Sequence, residues 1–403
     1  MRIACVHVPQ LSLQCVTRVE PALRGAALAI AGAPAPGEGR PALTAPVVVA
    51  VSRAAWALGV RVGMTAVAAR AIGRDVRVVH ADPTAERELS RALADALMTI
   101  APTVDLGGRL GNGGAHLAVY AEVPAKLRGA AFGTRAQGVL AALGLTGRIG
   151  IADDRFTAWV AASEPNNSEV VSVPRGGAAA YLADKPLSLL AITPEVLRML
   201  DALGVSTLGE FAALPAPSVT RPVERDYQAL ARGEGGVALR PYVPDAAIRE
   251  ELALGTGDTI ASLARRLALR LGGRGRLASR LEIASYADAG ERVATVEAPR
   301  PLASEEDIAE AIAPALAHDA WRVRVTVVGE ALAGDAGVLC PPVKLPPPTD
   351  LVAVVLSTTG TADLFGSDGP APTGAHARYR RTRRGKHRPR IATSPQSRLF
   401  ERS

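Results

Sequence analysis

Apolar positions along the chain follow two rhythms, short continuous or alternating runs and stripes repeating every three to four residues, so strands and helices interleave. RIACVHV (2–8) is a brief apolar run closed by Pro9, which predicts a buried strand. AGAPAPGEGRPA (31–42) is rich in Pro and Gly and predicts a loop. VVVAVS (47–52) predicts a strand running into a helix, and GVRVGM (59–64) the turn after it. Leu89, Leu93, Leu97 and Ile100 form one helical stripe between Pro83 and Pro102. HLAVYAEV (116–123) and GRIGIA (147–152) predict two more strands, with a helix over 135–143 between them. This order predicts an α/β or α+β first domain ending near Ser163.

Residues 164–173 carry no regular pattern. TPEVLRMLDALGV (193–205) and TLGEFAALP (207–215) then predict two short helices joined at Gly204, with Thr193 and Thr207 as N-caps. A third unit from about Pro244 shows a helix over 259–271, alternating runs LASRLEIASYA (277–287) and RVATVEA (292–298), a helix over 304–317 and a strand WRVRVTVVG (321–329). CPPVKLPPP (340–348) predicts a stiff, extended segment, LVAVVL (351–356) one further strand, and the chain from about Ser357 predicts disorder.

Composition adds the location of charge. The 403 residues are 48% hydrophobic and 21% charged, enough for substantial cores, and only 3% aromatic. The formal net charge is +7, yet residues 366–403 hold ten Lys plus Arg against two Asp plus Glu, leaving residues 1–365 at -1. The basic run RYRRTRRGKHRPR (378–390) repels itself and offers little to bury, so it predicts an unfolded tail suited to nucleic-acid phosphates. An RNA-associated or merely solubilising tail fits the same composition. No uninterrupted apolar stretch of ~18 residues occurs and the start lacks the zones of a signal peptide, which predicts a cytoplasmic protein without a membrane partner. Cys5, Cys15 and Cys340 show no C-x-x-C spacing, so neither a disulfide framework nor a zinc site is expected.

Four segments in order carry a resemblance to a known family. SRAAWALGVRVGM (52–64), GRIGIADDRFTAWVAA (147–162) and LRMLDALGVSTLGEFAALP (197–215), followed by the third unit, resemble the fingers, palm, thumb and little-finger segments of Y-family DNA polymerases of the UmuC type. The likeness is nearest to the catalytically degenerate, ImuB-like branch and spans roughly residues 1–335. It implies a multidomain α+β fold of right-hand architecture: palm over 1–163 with fingers inserted at about 24–75, a helical thumb over 164–240, and a little finger over 244–335. A Pro-rich extension over 336–356 and a disordered basic tail over 357–403 complete the expected layout.

Polymerases of this family hold two divalent cations on palm carboxylates, because the metals activate the primer hydroxyl and offset charge on the transferring phosphorus. The resemblance puts His7 and Pro9 where the first motif has two Asp, and Leu11 and Ser12 where it has a bulky aromatic pair. It puts Gly113 and Gly114 at the adjacent Asp and Glu of the second motif, and Ala118 at its last Asp. Arg53 and Trp56 stand where a Tyr and an Arg would grip the triphosphate, while Arg61 is kept as part of the turn. Asp154, Arg155 and Trp159 replace Asn, Lys and Lys. His7 and His116 read as ordinary, partly buried histidines, and Asp105 as a solvated loop acid.

Loss at three separate motifs implies a pseudo-enzyme with no catalytic residue, no nucleotide site, no bound metal and no cofactor; Mg2+ would be needed only by an active polymerase. The implied role is an adaptor in translesion synthesis and induced mutagenesis. Its expected partners are DNA, the sliding clamp, an error-prone replicative-type polymerase and a RecA-like ImuA partner. DNA contacts are expected from Arg265, Arg266, Arg270, Arg274, Arg276 and Arg280, and from Arg378, Arg380, Arg381, Arg383 and Arg384 in the tail. QSRLF (396–400) resembles a clamp-binding peptide, with Gln396, Leu399 and Phe400 as its anchors; Leu364 and Phe365 form a second candidate. An active translesion polymerase and a clamp-independent DNA-binding protein are the alternatives.

Overall fold

The computed structural model describes residues 1–32, 45–110, 116–164, 169–215, 222–236, 238–255 and 260–333. The Pro-rich extension, both Leu-Phe motifs and the basic run all fall outside these residues.

The first unit opens with β1 (Ile3–Val8) and α1 (Leu11–Val19). A small insertion follows, made of β2 (Leu28–Gly32), β3 (Val47–Val51), α2 (Arg53–Ala57), α3 (Ala66–Ile72) and β4 (Arg77–His80). The chain then returns through α4 (Pro83–Leu97), β5 (Val104–Leu110), β6 (His116–Glu122), α5 (Gly129–Ala142), β7 (Arg148–Ala152), α6 (Arg155–Ser163) and β8 (Val170–Ser172). Its sheet has the order β5-β6-β1-β7-β8, so β1 is central and antiparallel to both neighbours. The insertion forms its own sheet, β3-β2-β4, around Ala29, Val48, Val51, Ala55 and Ala69.

Alternation along β1 sets the two faces of the central sheet. Ala4, Val6 and Val8 face a core with Leu89, Leu93 and Leu97 of α4 and Phe132 and Leu140 of α5. Ile3 and Cys5 face the other way, with Ala118, Tyr120 and the small residues Ala158, Ala161 and Ala162 of α6. Helix α6 lies so close that a Cβ on Gly150 would sit 2.0 Å from the Ala158 carbonyl oxygen. Cys5 and Cys15 are buried free thiols, and burial pushes the Cys5 thiol up.

The second unit is helical: α7 (Ala178–Leu182), α8 (Pro194–Ala202), α9 (Leu208–Ala212) and α10 (Pro222–Ala231). Phe156 and Val160 of α6 join its core with Leu182, Leu200, Leu208, Phe211 and Leu230. Thr207 caps α9 in a reciprocal box with Glu210, as its sequence position implies; Thr193 sits at the α8 N-cap but makes no side-chain cap bond.

The third unit contains β9 (Arg249–Ala253), α11 (Ile260–Arg274), β10 (Arg276–Ala287), β11 (Gly290–Leu302), α12 (Glu305–Ile312) and β12 (Arg322–Leu332). The sheet order is β11-β10-β12-β9, and both helices cover one face through Leu263, Leu267, Leu271, Ile308 and Ile312. Strand β9 is absent from the expected order of elements. The expected second helix stops at Ile312 and tightens into a 3-10 turn over 313–315, because Pro314 offers no backbone N–H to continue it. No helix among the described residues is long and apolar enough to cross a membrane.

Candidate functional site

The β1–β6 end of the central sheet brings together the positions that two separate motifs would supply. His7 on β1 lies opposite Ala118 on β6 and Arg148 on β7. The His116 ring, also on β6, stacks on His7 with centroids 5.3 Å apart and planes 21° off parallel. Pro9 then turns the chain into α1 through Gln10, a non-glycine residue at φ 48°. Gln14 pins this turn: its Nε2 donates to Pro9 O (2.7 Å) and Thr146 O (2.9 Å), while Thr146 N donates to its Oε1 (2.9 Å). Gly113 and Gly114 lie outside the described residues.

His7 is 3% exposed and Ala118 1%. Burial, reinforced by His116 and Arg148, lowers the His7 pKa from 6.5 to about 3, and burial lowers that of His116 to about 4. Both rings are therefore neutral near pH 7, and the Nδ1 atom of each lacks a hydrogen-bond partner among the described residues. Magnesium prefers six oxygen ligands in octahedral array. This corner presents two stacked imidazoles, a methyl group and a prolyl ring, a donor set that does not fit that ion.

Two acids near this part of the sheet, Asp105 and Asp154, make structural contacts of their own. Asp105, expected as a solvated loop residue, instead sits buried on β5, opposite Tyr120. Its carboxylate accepts from Gly107 N (2.7 Å), Arg155 Nη1 (3.0 Å) and Arg240 N (2.8 Å), and Arg155 also lies over the Tyr120 ring at 4.3 Å. The guanidinium supplies the compensation that makes a buried carboxylate tolerable. Asp154 caps α6 through Oδ1, which accepts from Thr157 N (2.8 Å). Its Oδ2 is buried without a hydrogen-bond partner among the described residues, and desolvation raises the Asp154 pKa. Trp159 packs against Phe156 with centroids 5.9 Å apart. Among the described residues, no three of His, Cys, Asp or Glu cluster in a way that could hold a metal ion.

On the insertion, Arg53 and Trp56 are exposed on α2, whose first turn is capped by Ser52. Arg61 covers one face of Trp56, with its guanidinium 4.4 Å from the ring centre, and donates to the Trp56 carbonyl at 2.7 Å. This contact builds the turn, the role expected of Arg61.

The arginines expected to reach phosphates divide into two groups, and three of them require correction. Arg266 and Arg270 are 2% and 0% exposed, and Arg274 also points inward, to Asp95. Arg270 Nε donates to Asp95 Oδ2 (2.9 Å) and its Nη1 to Glu250 Oε1 (3.0 Å). Arg274 reaches both Asp95 oxygens, at 2.8 and 2.9 Å, and Arg18 Nη2 reaches Glu250 Oε2 at 2.5 Å. Burial opposes charge on Glu250, but Arg18, Arg270 and Arg266 outweigh it and hold its carboxyl below the usual range. These side chains therefore neutralise buried acids and are not presented to a nucleic acid. Arg265 makes a two-pronged bond to Glu305 on α12, 2.8 Å on each side. Arg276 is half-buried, and Arg280 is exposed beside Glu297 at 2.7 Å.

Spacing held a signal for this network. Arg266, Arg270 and Arg274 recur every four residues, one face of α11. Leu263, Leu267 and Leu271 occupy the neighbouring stripe in the third unit's core, whereas Leu269 belongs to the core of the first unit. A helix with apolar residues on two faces is covered on both.

Residues 8–163 match the impB/mucB/samB family. No curated protein matches the chain. Among solved structures, DinB from Sulfolobus solfataricus is similar at 14% identity and TM-score 0.48, over 81% of this chain and 98% of that one. An insertion ternary complex of Dbh DNA polymerase gives 14% identity and TM-score 0.48, over 82% and 100%.

Proposed function

With residues 8–163 taken as a domain of the impB/mucB/samB family, we propose that this chain is a catalytically inactive, polymerase-shaped adaptor in DNA damage tolerance and induced mutagenesis. The observation that carries this reading is the buried, neutral stack of His7 on His116 beside Ala118, at the sheet end where a polymerase of this build needs metal-binding acids. Phosphoryl transfer is mostly positioning and electrostatic stabilisation, so a corner whose described residues offer imidazoles and a methyl group leaves the triphosphate and transition-state charge unmet.

In this reading the chain binds primed DNA and works through tethering. Gln396, Leu399 and Phe400 dock in the sliding clamp, with Leu364 and Phe365 as the second candidate, while the arginines from Arg378 to Arg390 hold the tail near phosphates. An error-prone replicative-type polymerase and a RecA-like ImuA partner complete the assembly. Primer extension by the purified chain with Mg2+ or Mn2+ and all four nucleotides tests the proposal.

A further inference from the structure

Asp95 sits on α4 of the first unit and Arg270 and Arg274 on α11 of the third, so the ion network runs across the seam between the two units. The Asp95 carboxylate also accepts from Tyr242 Oη (3.0 Å), giving it four donors. On the far side of Arg270, Glu250 takes Arg18 of α1, which donates from Nε to Leu143 O at 2.8 Å. One chain of charges thus passes from the first unit through the third and back to the first.

Close packing accompanies the charges. A Cβ on Gly273 would meet the Asp95 carbonyl oxygen at 1.8 Å, so the two helix backbones touch. Leu269 is fully buried in the first unit's core. The segment that leads from the second unit into β9 is stitched down as well: Arg240 N donates to Asp105 (2.8 Å), Tyr242 N to Val104 O (2.7 Å), and Arg91 pairs with Asp245 at 3.2 Å. Arg322 of β12 reaches back to Glu20.

We propose that the α4–α11 seam is a fixed joint, which holds the first and third units as one rigid body and stops the third unit from swinging about residues 238–245. Intermediate positions are disfavoured by chemistry. Sliding α11 by a turn parts Asp95 from Arg270 and Arg274 while these groups stay out of water, the costly state for a buried ion. Full separation rehydrates the charges but exposes Leu269 and its apolar neighbours. The docked state is therefore the one populated, with no graded series of positions leading away from it. This inference rests on the seam alone and stands whether or not the first unit is catalytic.

Distance measurement on the full chain tests it. Spin labels at Lys126→Cys in the first unit and Thr295→Cys in the third, both exposed, are placed in a Cys340→Ser background. The expected result is one narrow distance, unchanged by 0.5 M salt and by saturating primed duplex. A second population, or a shift of about 5 Å or more, roughly one helical turn, overturns the proposal. Arg270→Met, which leaves both acids without one partner, is expected to add a second, broader distance. A folded Arg270→Met variant with the parental distance overturns the assignment of the joint to these charges, and if that variant fails to fold, the parental distance with and without DNA decides.

Discussion

Arg270 and Asp95 meet at 2.9 Å across 175 residues of sequence, both fully buried and each bound to further charged partners. Their pairing turns an arginine stripe that looks like a phosphate-binding surface into the interior of a joint, and it sets the first expectation for stability.

Truncating Asp95 to Ala leaves Arg270 Nε and Arg274 Nε and Nη2 buried without their acceptor, while Arg270 keeps Glu250. A loss of about 3–5 kcal/mol is expected, against about 1 kcal/mol or less for Glu305→Ala, whose partner Arg265 is partly solvated. Urea unfolding of the two variants side by side checks the contrast. Similar midpoints would contradict the placement of Asp95 in a load of buried charge.

The histidine pair gives stability a defined pH dependence. His7 and His116 have folded pKa values of about 3 and about 4, below the unfolded value near 6.5, so the unfolded chain takes up protons first as pH falls. The stabilising effect is full above pH 6.5 and is lost progressively below it, by on the order of 2 kcal/mol for His7 at pH 5. His7→Leu is expected to flatten thermal stability between pH 7 and 5 relative to the parent; an unchanged slope contradicts the neutral stack.

Glu250 works in the opposite range. Its pKa is held below the ordinary glutamate value, so its contribution is present above about pH 4.3 and is lost as pH falls through the lower folded value. Glu250→Gln is expected to weaken the protein at pH 7 and to remove this acid-limb dependence, read by chemical denaturation from pH 5 to 3.

Charge location predicts how DNA binding responds to truncation. Removing residues 366–403 deletes a net +8, which is expected to reduce the slope of log affinity against log salt by as much as about 7. Arg280→Ala, exposed on β10 beside Glu297, is expected to change it by about 1 or less. Titration of a fluorescent duplex at several salt concentrations measures both. A truncated chain with the parental slope would move the binding surface into the body.

Periodic apolar runs made β1, α4, the α8–α9 pair and most of the third unit legible, because each buries one regular face. What stayed hidden was charge turned inward. Strand β9 reads REELA, which suggests solvent, yet Glu250 is buried there against guanidiniums from Arg270 on the next helix and from Arg18, 232 residues away. Asp105 was hidden for the same reason, its partner Arg155 lying on another element. At the candidate site, residue identities at His7 and Ala118 spoke for altered chemistry, but the stacking of His116 on His7 depends on register between β1 and β6 that no local pattern specifies.

Nucleotide addition by the purified full-length chain is the most direct test of the proposed role. On a primed template with either Mg2+ or Mn2+ and all four nucleotides, the neutral histidine corner predicts no extension above a protein-free control. Metal-dependent lengthening of the primer, abolished when the metal is chelated and traced to this chain rather than a contaminant, would contradict it.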